Sequence, residues 1–329
     1  MRQSKPPQSG TDEVPFPERR EAWSLYWARG HLHSCPGSYA GNYGGAIGAF
    51  WRGVMGGWTG ADRVLDLGTG NGALVRLALE HGHVPQPPQL VAVDLAKPRP
   101  SWLGEWGARA SRVLFLGGVR MESLPFADAV FTRIVSQFAV EYGEHPATLE
   151  ECRRVLGPGG ELAAVLHHAD SLFAAVAREE LRHLDWILGE SGLSLAVGAA
   201  LPCAAGRDPQ RAEAARAGLR ACLAALSERL AGAGVPDALL AVGQAALAAI
   251  ERARRGELTA ARAEWEAFCA ELRAARLRSA ELLAHALDAE RAAGWREQLS
   301  RLGLRVDRLE PLAEEGGSLL GWALRARLP

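Results

Sequence analysis

Residues 64–74 read VLDLGTGNGAL. The apolar run through Val64, Leu65 and Leu67 has the character of a buried parallel strand. It stops at Gly68-Thr69-Gly70-Asn71-Gly72. A helical pattern follows at once, with Leu74, Leu77, Ala78 and His81 on one face. A strand, a glycine-rich turn and a helix together form a ligand-binding arrangement. The glycines let the backbone turn sharply and approach a ligand, and the helix N-terminus presents free N–H groups. Asp66 falls near the carboxyl end of the strand, the edge where open α/β sheets bind ligands.

The loop admits two readings. Gly68, Gly70 and Ala73 satisfy the G-x-G-x-x-G/A dinucleotide pattern, and Asp94 ends the next apolar run, LVAVD, at a distance suited to a ribose hydroxyl. Asp66, Gly68, Gly70 and Gly72 also spell D-x-G-x-G-x-G, which resembles motif I of the class I S-adenosylmethionine (SAM)-dependent methyltransferases. The resemblance implies that Asp66 faces the cationic amino-acid end of SAM and Asp94 grips the ribose. A carboxylate suits a sulfonium and an ammonium and would repel a pyrophosphate.

Two later segments extend the resemblance. Met121-Glu-Ser-Leu-Pro-Phe is similar to the D-A-E-x-L-P-F segment of the subgroup that includes the ubiquinone and menaquinone biosynthesis enzymes, where it holds adenine. Glu122, Leu124, Pro125 and Phe126 match. Arg120 stands where the subgroup has Asp, and a guanidinium cannot accept the adenine amino proton, which leaves Met121 as the expected contact. Arg154-Val-Leu-Gly-Pro-Gly-Gly-Glu-Leu162 resembles the R-V-L-K-P-G-G-x-L before strand five in many class I methyltransferases, and has no counterpart in hydride-transfer domains. It favours the methyltransferase reading of the loop.

The resemblance assigns the rest of the site by topology. Cofactor contacts are expected from Asp66, Gly68, Thr69, Gly70, Asn71, Gly72, Asp94, Leu95, Met121, Glu122, Ser136 and Gln137. The fourth strand, 129–136, delivers Ser136 and Gln137, with Glu141 and Tyr142 just beyond. The fifth, 161–166, delivers His167 and His168. An imidazole with an ordinary pKa near 6.5 suits a general base, so His167, His168, Glu141 and Tyr142 are the catalytic candidates. The glycine- and aromatic-rich segment before motif I offers His33, Tyr39 and Tyr43 as substrate contacts.

Composition bounds these readings. The chain has 329 residues, a formal net charge of −1 and 48% hydrophobic residues. No basic excess points to nucleic acid. The cysteines (Cys35, Cys152, Cys203, Cys222, Cys269) show no metal spacing, so no metal is expected, and they suit a reducing, cytoplasmic setting. No run of 18 apolar residues is present, so no membrane span is expected. Residues 1–20 are rich in Pro, Gln and Ser and read as a flexible tail.

From 172 to 293 the sequence is rich in Ala, Leu, Glu and Arg and reads as helix. Breaks fall at 189–198, 202–209 and 232–236, and Gly294 is the expected stop of the longest segment, 257–293. The final strands, 304–311 and 319–328, flank a glycine turn.

The sequence therefore predicts an α/β, doubly wound Rossmann-like sheet with an antiparallel last strand and a large all-helical insertion between strands five and six. Residues 21–168 and 294–329 form the SAM-binding domain with an N-terminal helical lid. Residues 169–293 form the insertion, a cap or a homodimer contact. The expected activity is methyl transfer from SAM, leaving S-adenosylhomocysteine, to an O, N, S or C nucleophile of a small molecule, with neither nucleic acid nor membrane as partner. A non-catalytic SAM-binding protein and an RNA or protein methyltransferase are the alternatives.

Overall fold

The computed structural model describes residues 15–35, 39, 41–81, 87–204, 209–231 and 237–329. Seven strands form one sheet in the order β3-β2-β1-β4-β5-β7-β6. They are β1 Arg63–Leu67, β2 Gln89–Asp94, β3 Val113–Gly117, β4 Phe131–Gln137, β5 Leu156–Leu166, β6 Arg305–Ala313 and β7 Leu319–Arg327. The first five are parallel, and β7 runs antiparallel to both β5 and β6. The order reverses between β1 and β4, so a crevice opens at the carboxyl ends of β1, β2 and β4.

The central strands are apolar on both faces because helices cover both. One apolar layer joins Ile47, Trp51, Val54, Leu74 and Leu79 to the sheet, and the other joins Leu149, Val155, Trp295 and Leu299. These come from α2 (Gly45–Met55), α3 (Ala73–His81), α4 (Ala147–Val155) and α10 (Ala289–Arg301). Residues 101–112 form a 3-10 segment kinked at Gly107, not a regular helix.

Three boundaries differ from the sequence reading. The tail assigned to 1–20 gives way at Phe16 to α1 (Phe16–Ala28), since Pro17 is accommodated in the first turn of a helix; residues 1–14 lie outside the described residues. The Gly157-Pro-Gly-Gly segment does not stand apart from the sheet, because β5 begins at Leu156, opposite Phe131, and passes an irregularity before regular pairing resumes. Gly294 is not a stop: it lies inside α10. The long helical segment instead ends at His285, where Leu287 bridges to His168 and Asp288 caps α10 through the Arg291 N–H.

The insertion comprises α5 (Leu172–Leu188), α6 (Leu193–Ala200), α7 (Pro209–Ala231), α8 (Asp237–Arg254) and α9 (Leu258–His285). They share a core of their own, with Leu184, Ile187, Val197, Val242 and Trp265 among its members. Within the break expected at 189–198, α6 starts at Leu193; of the break expected at 202–209, residues 205–208 lie outside the described residues, as does the whole of the break expected at 232–236. The stretch Leu172–Cys203 is on average long and apolar enough to cross a membrane. It is however interrupted at 189–192; Leu184, Ile187, Leu193, Val197 and Leu201 from it enter the bundle core, while Leu172, Val176 and Leu195 are exposed.

Candidate functional site

A cavity opens at the carboxyl edge of the sheet, with about 710 Å³ of empty space counting its mouth. Its floor is Gly68, Asp94, Leu95, Met121, Glu122 and Gln137, and its roof is α1. Phe16, Arg19, Trp23 and Trp27 recur at helical spacing, so one face of α1 points down into the cavity.

Asp94 is the best-defined group. Its Oδ2 accepts the Gly70 N–H at 2.7 Å and its Oδ1 accepts the Ala96 N–H at 2.8 Å. Burial raises its pKa, and the two N–H groups oppose that. The carboxylate thus pins the glycine loop while bordering the cavity. Leu95, Val119 and Met121 make an apolar slot beside it. Glu122, on the same wall, accepts the Glu144 N–H and pairs with Arg120, whose guanidinium lies 3.7 Å from the centre of the Phe16 ring.

The rest of the glycine loop is committed to the fold. Asp66 accepts the Thr69 hydroxyl at 2.6 Å, and burial pushes its pKa up to about 7. Trp27 stands on Gly70 so closely that a Cβ there would lie 2.4 Å from the indole. Gly72 meets Phe115 and Trp102 in the same way. Asn71 donates to the carbonyls of Trp27 and His31 and so ties the end of α1 to the loop. Of the loop residues expected to touch a cofactor, Gly68 borders the cavity, whereas Asp66, Thr69, Gly70, Asn71 and Gly72 do not.

At the end of β4 the two neighbours diverge. Gln137 borders the cavity. Ser136 is fully buried, donates to the Leu67 carbonyl and accepts the Val140 N–H, and so braces two strands. Phe138 follows with φ of 54° and lines the cavity. A bulky side chain in the left-handed region is strained. It is held there by a stack on His167, centroids 4.2 Å apart, and by the Phe138 N–H to Val165 carbonyl bond.

The catalytic candidates divide on the same geometry. Tyr142 borders the cavity, and burial raises its pKa well above the ordinary range, so its hydroxyl stays protonated. Glu141, His167 and His168 do not border it. Glu141 lies buried beneath, accepts the His167 N–H at 2.7 Å, and is pushed up to about 7 by burial. His167 is enclosed against Phe138 and Tyr142, and burial drives its pKa down to about 3. His168 stacks on Trp322, 4.6 Å away. The substrate candidates His33, Tyr39 and Tyr43 pack on one another, and the neighbouring Ser34 reaches the cavity in their place. Among the described residues no group of three or more His, Cys, Asp or Glu side chains could hold a metal.

The sequence reading missed Phe16, Arg19, Trp23 and Trp27 as site residues. The signal was present: one helical stripe carrying three aromatic rings and a cation. Arg19 is 7% exposed, donates through Nε to Glu281 of α9 at 2.5 Å and through Nη1 to the Tyr142 carbonyl. The insertion therefore holds the roof of the cavity.

Residues 65–164 match the family model described as a methyltransferase domain. No curated protein matches the chain. Among solved structures, it is similar to a SAM-dependent methyltransferase from Aquifex aeolicus, with 13% identity over 85% of this chain and 89% of that one and a TM-score of 0.41. It is also similar to the 1,6-didemethyltoxoflavin-N1-methyltransferase of Burkholderia thailandensis, with 12% identity over 99% and 93% of the two chains and a TM-score of 0.48. The geranyl diphosphate C-methyltransferase of Streptomyces coelicolor A3(2) gives 16% identity over 45% and 64%, with a TM-score of 0.35. The matched segment runs from β1 into β5 and contains the glycine loop, Asp94, Met121 and Gln137.

Proposed function

We propose that the chain is a SAM-dependent methyltransferase acting on a small-molecule acceptor. The observation that carries this reading is Asp94, a buried carboxylate at the end of β2 that pins the glycine loop and borders the cavity beside Leu95 and Met121. Each oxygen has accepted one N–H and keeps lone-pair capacity for a ribose hydroxyl. Leu95, Val119 and Met121 offer an apolar slot for an adenine. Asp94 on the wall disfavours a phosphate at that position and suits a hydroxyl donor.

When bound there, SAM supplies an activated sulfonium methyl. The chain's contribution is to hold both partners in line and exclude water with Trp23, Trp27, Phe138 and Tyr142. Neither histidine lies at the cavity, and Tyr142 is a proton donor at neutral pH. Transfer then rests on proximity, to a nucleophile that arrives without a proton to lose. The aromatic lining of the cavity supports a small acceptor.

Calorimetry with S-adenosylhomocysteine and with NAD tests the cofactor: the first should bind and the second should not. Incubation with labelled SAM and a metabolite extract then tests transfer. Binding of NAD alone would overturn the reading, and binding of the homocysteine product without any transfer would favour a non-catalytic SAM-binding protein.

A further inference from the structure

We propose that Gln137 is a specificity residue that donates a hydrogen bond to an oxygen atom of a flat methyl acceptor. This rests on the methyltransferase reading above and replaces the cofactor contact that the sequence suggested for this residue.

The argument begins with Trp51 on α2. Its side chain is fully buried, and its indole Nε1–H is a donor only. It meets the side-chain amide of Gln137, with Oε1 as the acceptor. The reverse orientation would set two donors against each other in a buried site, so Trp51 fixes which way the amide points. The amide nitrogen is then the free end. Nε2 is buried and has no hydrogen-bond partner among the described residues, while Gln137 itself is 8% exposed and borders the cavity. A buried donor of this kind is costly to leave unmade, and the residue that carries it is part of the cavity lining.

The partner must be an acceptor. An ammonium group, such as that of SAM, would meet N–H with N–H, so it is not what this amide serves. The adjoining walls describe the remainder of the ligand. Phe138, Trp23, Trp27 and Tyr142 are flat faces, and Phe138 is held in a strained backbone conformation that puts its ring on the cavity. Arg19 adds a second set of N–H donors, its charge met by Glu281. Flat walls with N–H donors among them and a compensated cation fit a conjugated or aromatic molecule bearing a carbonyl or similar oxygen. The carboxylate of SAM could present the same oxygen chemistry, and the experiment separates the two sources.

The probes are chromone, a flat bicyclic ketone, and naphthalene, a bicycle of similar outline without oxygen. Each is titrated by ligand-observed NMR into the full chain saturated with S-adenosylhomocysteine, whose own affinity is measured first by calorimetry. We expect chromone to bind about tenfold tighter than naphthalene, the worth of one buried hydrogen bond. Gln137→Met removes the donor at similar volume and should erase the preference while leaving S-adenosylhomocysteine affinity within about threefold. Gln137→Glu keeps the acceptor for Trp51 and protects the fold; at pH 8 it should also erase the preference. Equal binding of the two probes to the unaltered protein, binding of neither, or a preference that survives both substitutions overturns the proposal. Loss of S-adenosylhomocysteine affinity in both variants with the chromone preference intact assigns the amide to the cofactor carboxylate and overturns it as well. Failure of the unaltered protein to bind S-adenosylhomocysteine is a different result: it removes the methyltransferase reading itself.

Discussion

Arg19 on α1 and Glu281 on α9 form a buried ion pair at the wall of the cavity, Nε to Oε1 2.5 Å, with side chains 8% and 4% exposed. The pair joins two elements that the sheet does not hold together. Arg278, also on α9, adds a hydrogen bond to the Ala22 carbonyl and lies over the Trp23 and Tyr26 rings, and Arg29 pairs with Glu271. The roof of the cavity is thus fastened along its length to the insertion.

Glu281→Ala should leave the Arg19 guanidinium buried without its partner and cost about 3–5 kcal/mol of stability. Combining Arg19→Met with Glu281→Leu should recover most of that loss, because an apolar pair needs no desolvation. Urea denaturation of the two variants checks both statements. Equal loss in the single and double variants would mean that the pair contributes shape and not charge compensation.

Asp94→Ala should weaken S-adenosylhomocysteine binding by about 1.5–3 kcal/mol, the range for losing a charged hydrogen-bond partner. It should also lower stability by about 1–3 kcal/mol, because the Gly70 and Ala96 N–H groups lose their acceptor. Calorimetry and thermal unfolding read the two effects separately. A variant with lowered stability and unchanged affinity would make Asp94 a loop anchor alone.

The contribution of Asp66 and Glu141 to stability should fall as pH rises from about 4 toward 7, against an opposite slope from the buried, neutral His167 and His285, whose pKa values burial lowers to about 3 and about 4. Burial raises both Asp66 and Glu141 to about 7, above the 3.8 and 4.5 of the exposed groups. Over that window the folded state keeps protons that the unfolded state has released, so the stabilisation is complete below the ordinary carboxyl range and is lost through the folded values. Urea midpoints at pH 5 and pH 8 for the unaltered protein and for Asp66→Asn isolate the Asp66 share: the variant should gain stability relative to the unaltered protein between the two pH values. An equal pH dependence in the variant and the unaltered protein would contradict the assignment.

His167 should be silent in the pH–rate profile. With its pKa near 3 it is a neutral ring at every pH used for assay, so no limb should appear near the ordinary histidine value of about 6.5. His167→Phe should keep the stack under Phe138 and most of the activity. His167→Ala should cost about 2–5 kcal/mol of stability by opening a cavity behind Phe138. A limb near pH 6.5 that vanishes in His167→Phe would restore the histidine as a base.

The strands and the glycine loop were legible because their signals are local. An apolar run, a turn that requires positive φ at Gly68, Gly70 and Gly72, and a helix pattern lie within one short stretch. Asp94 was legible for the same reason, as the last residue of the next such run. The cavity wall was not. Whether His167 faces a ligand or the back of Phe138 depends on the backbone angle at Phe138, which nothing in the composition of 136–142 encodes. Trp27 could be read as a packing residue, and it is one, but what it packs on is Gly70. Gly294 was misread because glycine at a helix end and glycine inside a helix look alike in sequence; the signal that decides is Asp288, six residues earlier, which caps the next helix.

The bond between Arg19 and Glu281 spans 262 positions of the chain. Its closure needs nearly the whole polypeptide, so it belongs to the late, non-local contacts of folding. The sheet through β5 can pair, and the glycine loop can be pinned by Asp94, before α9 has found its place. A sheltered cavity therefore marks a chain whose last helices have docked. Refolding watched through the tryptophans of α1 should trail refolding watched through backbone circular dichroism.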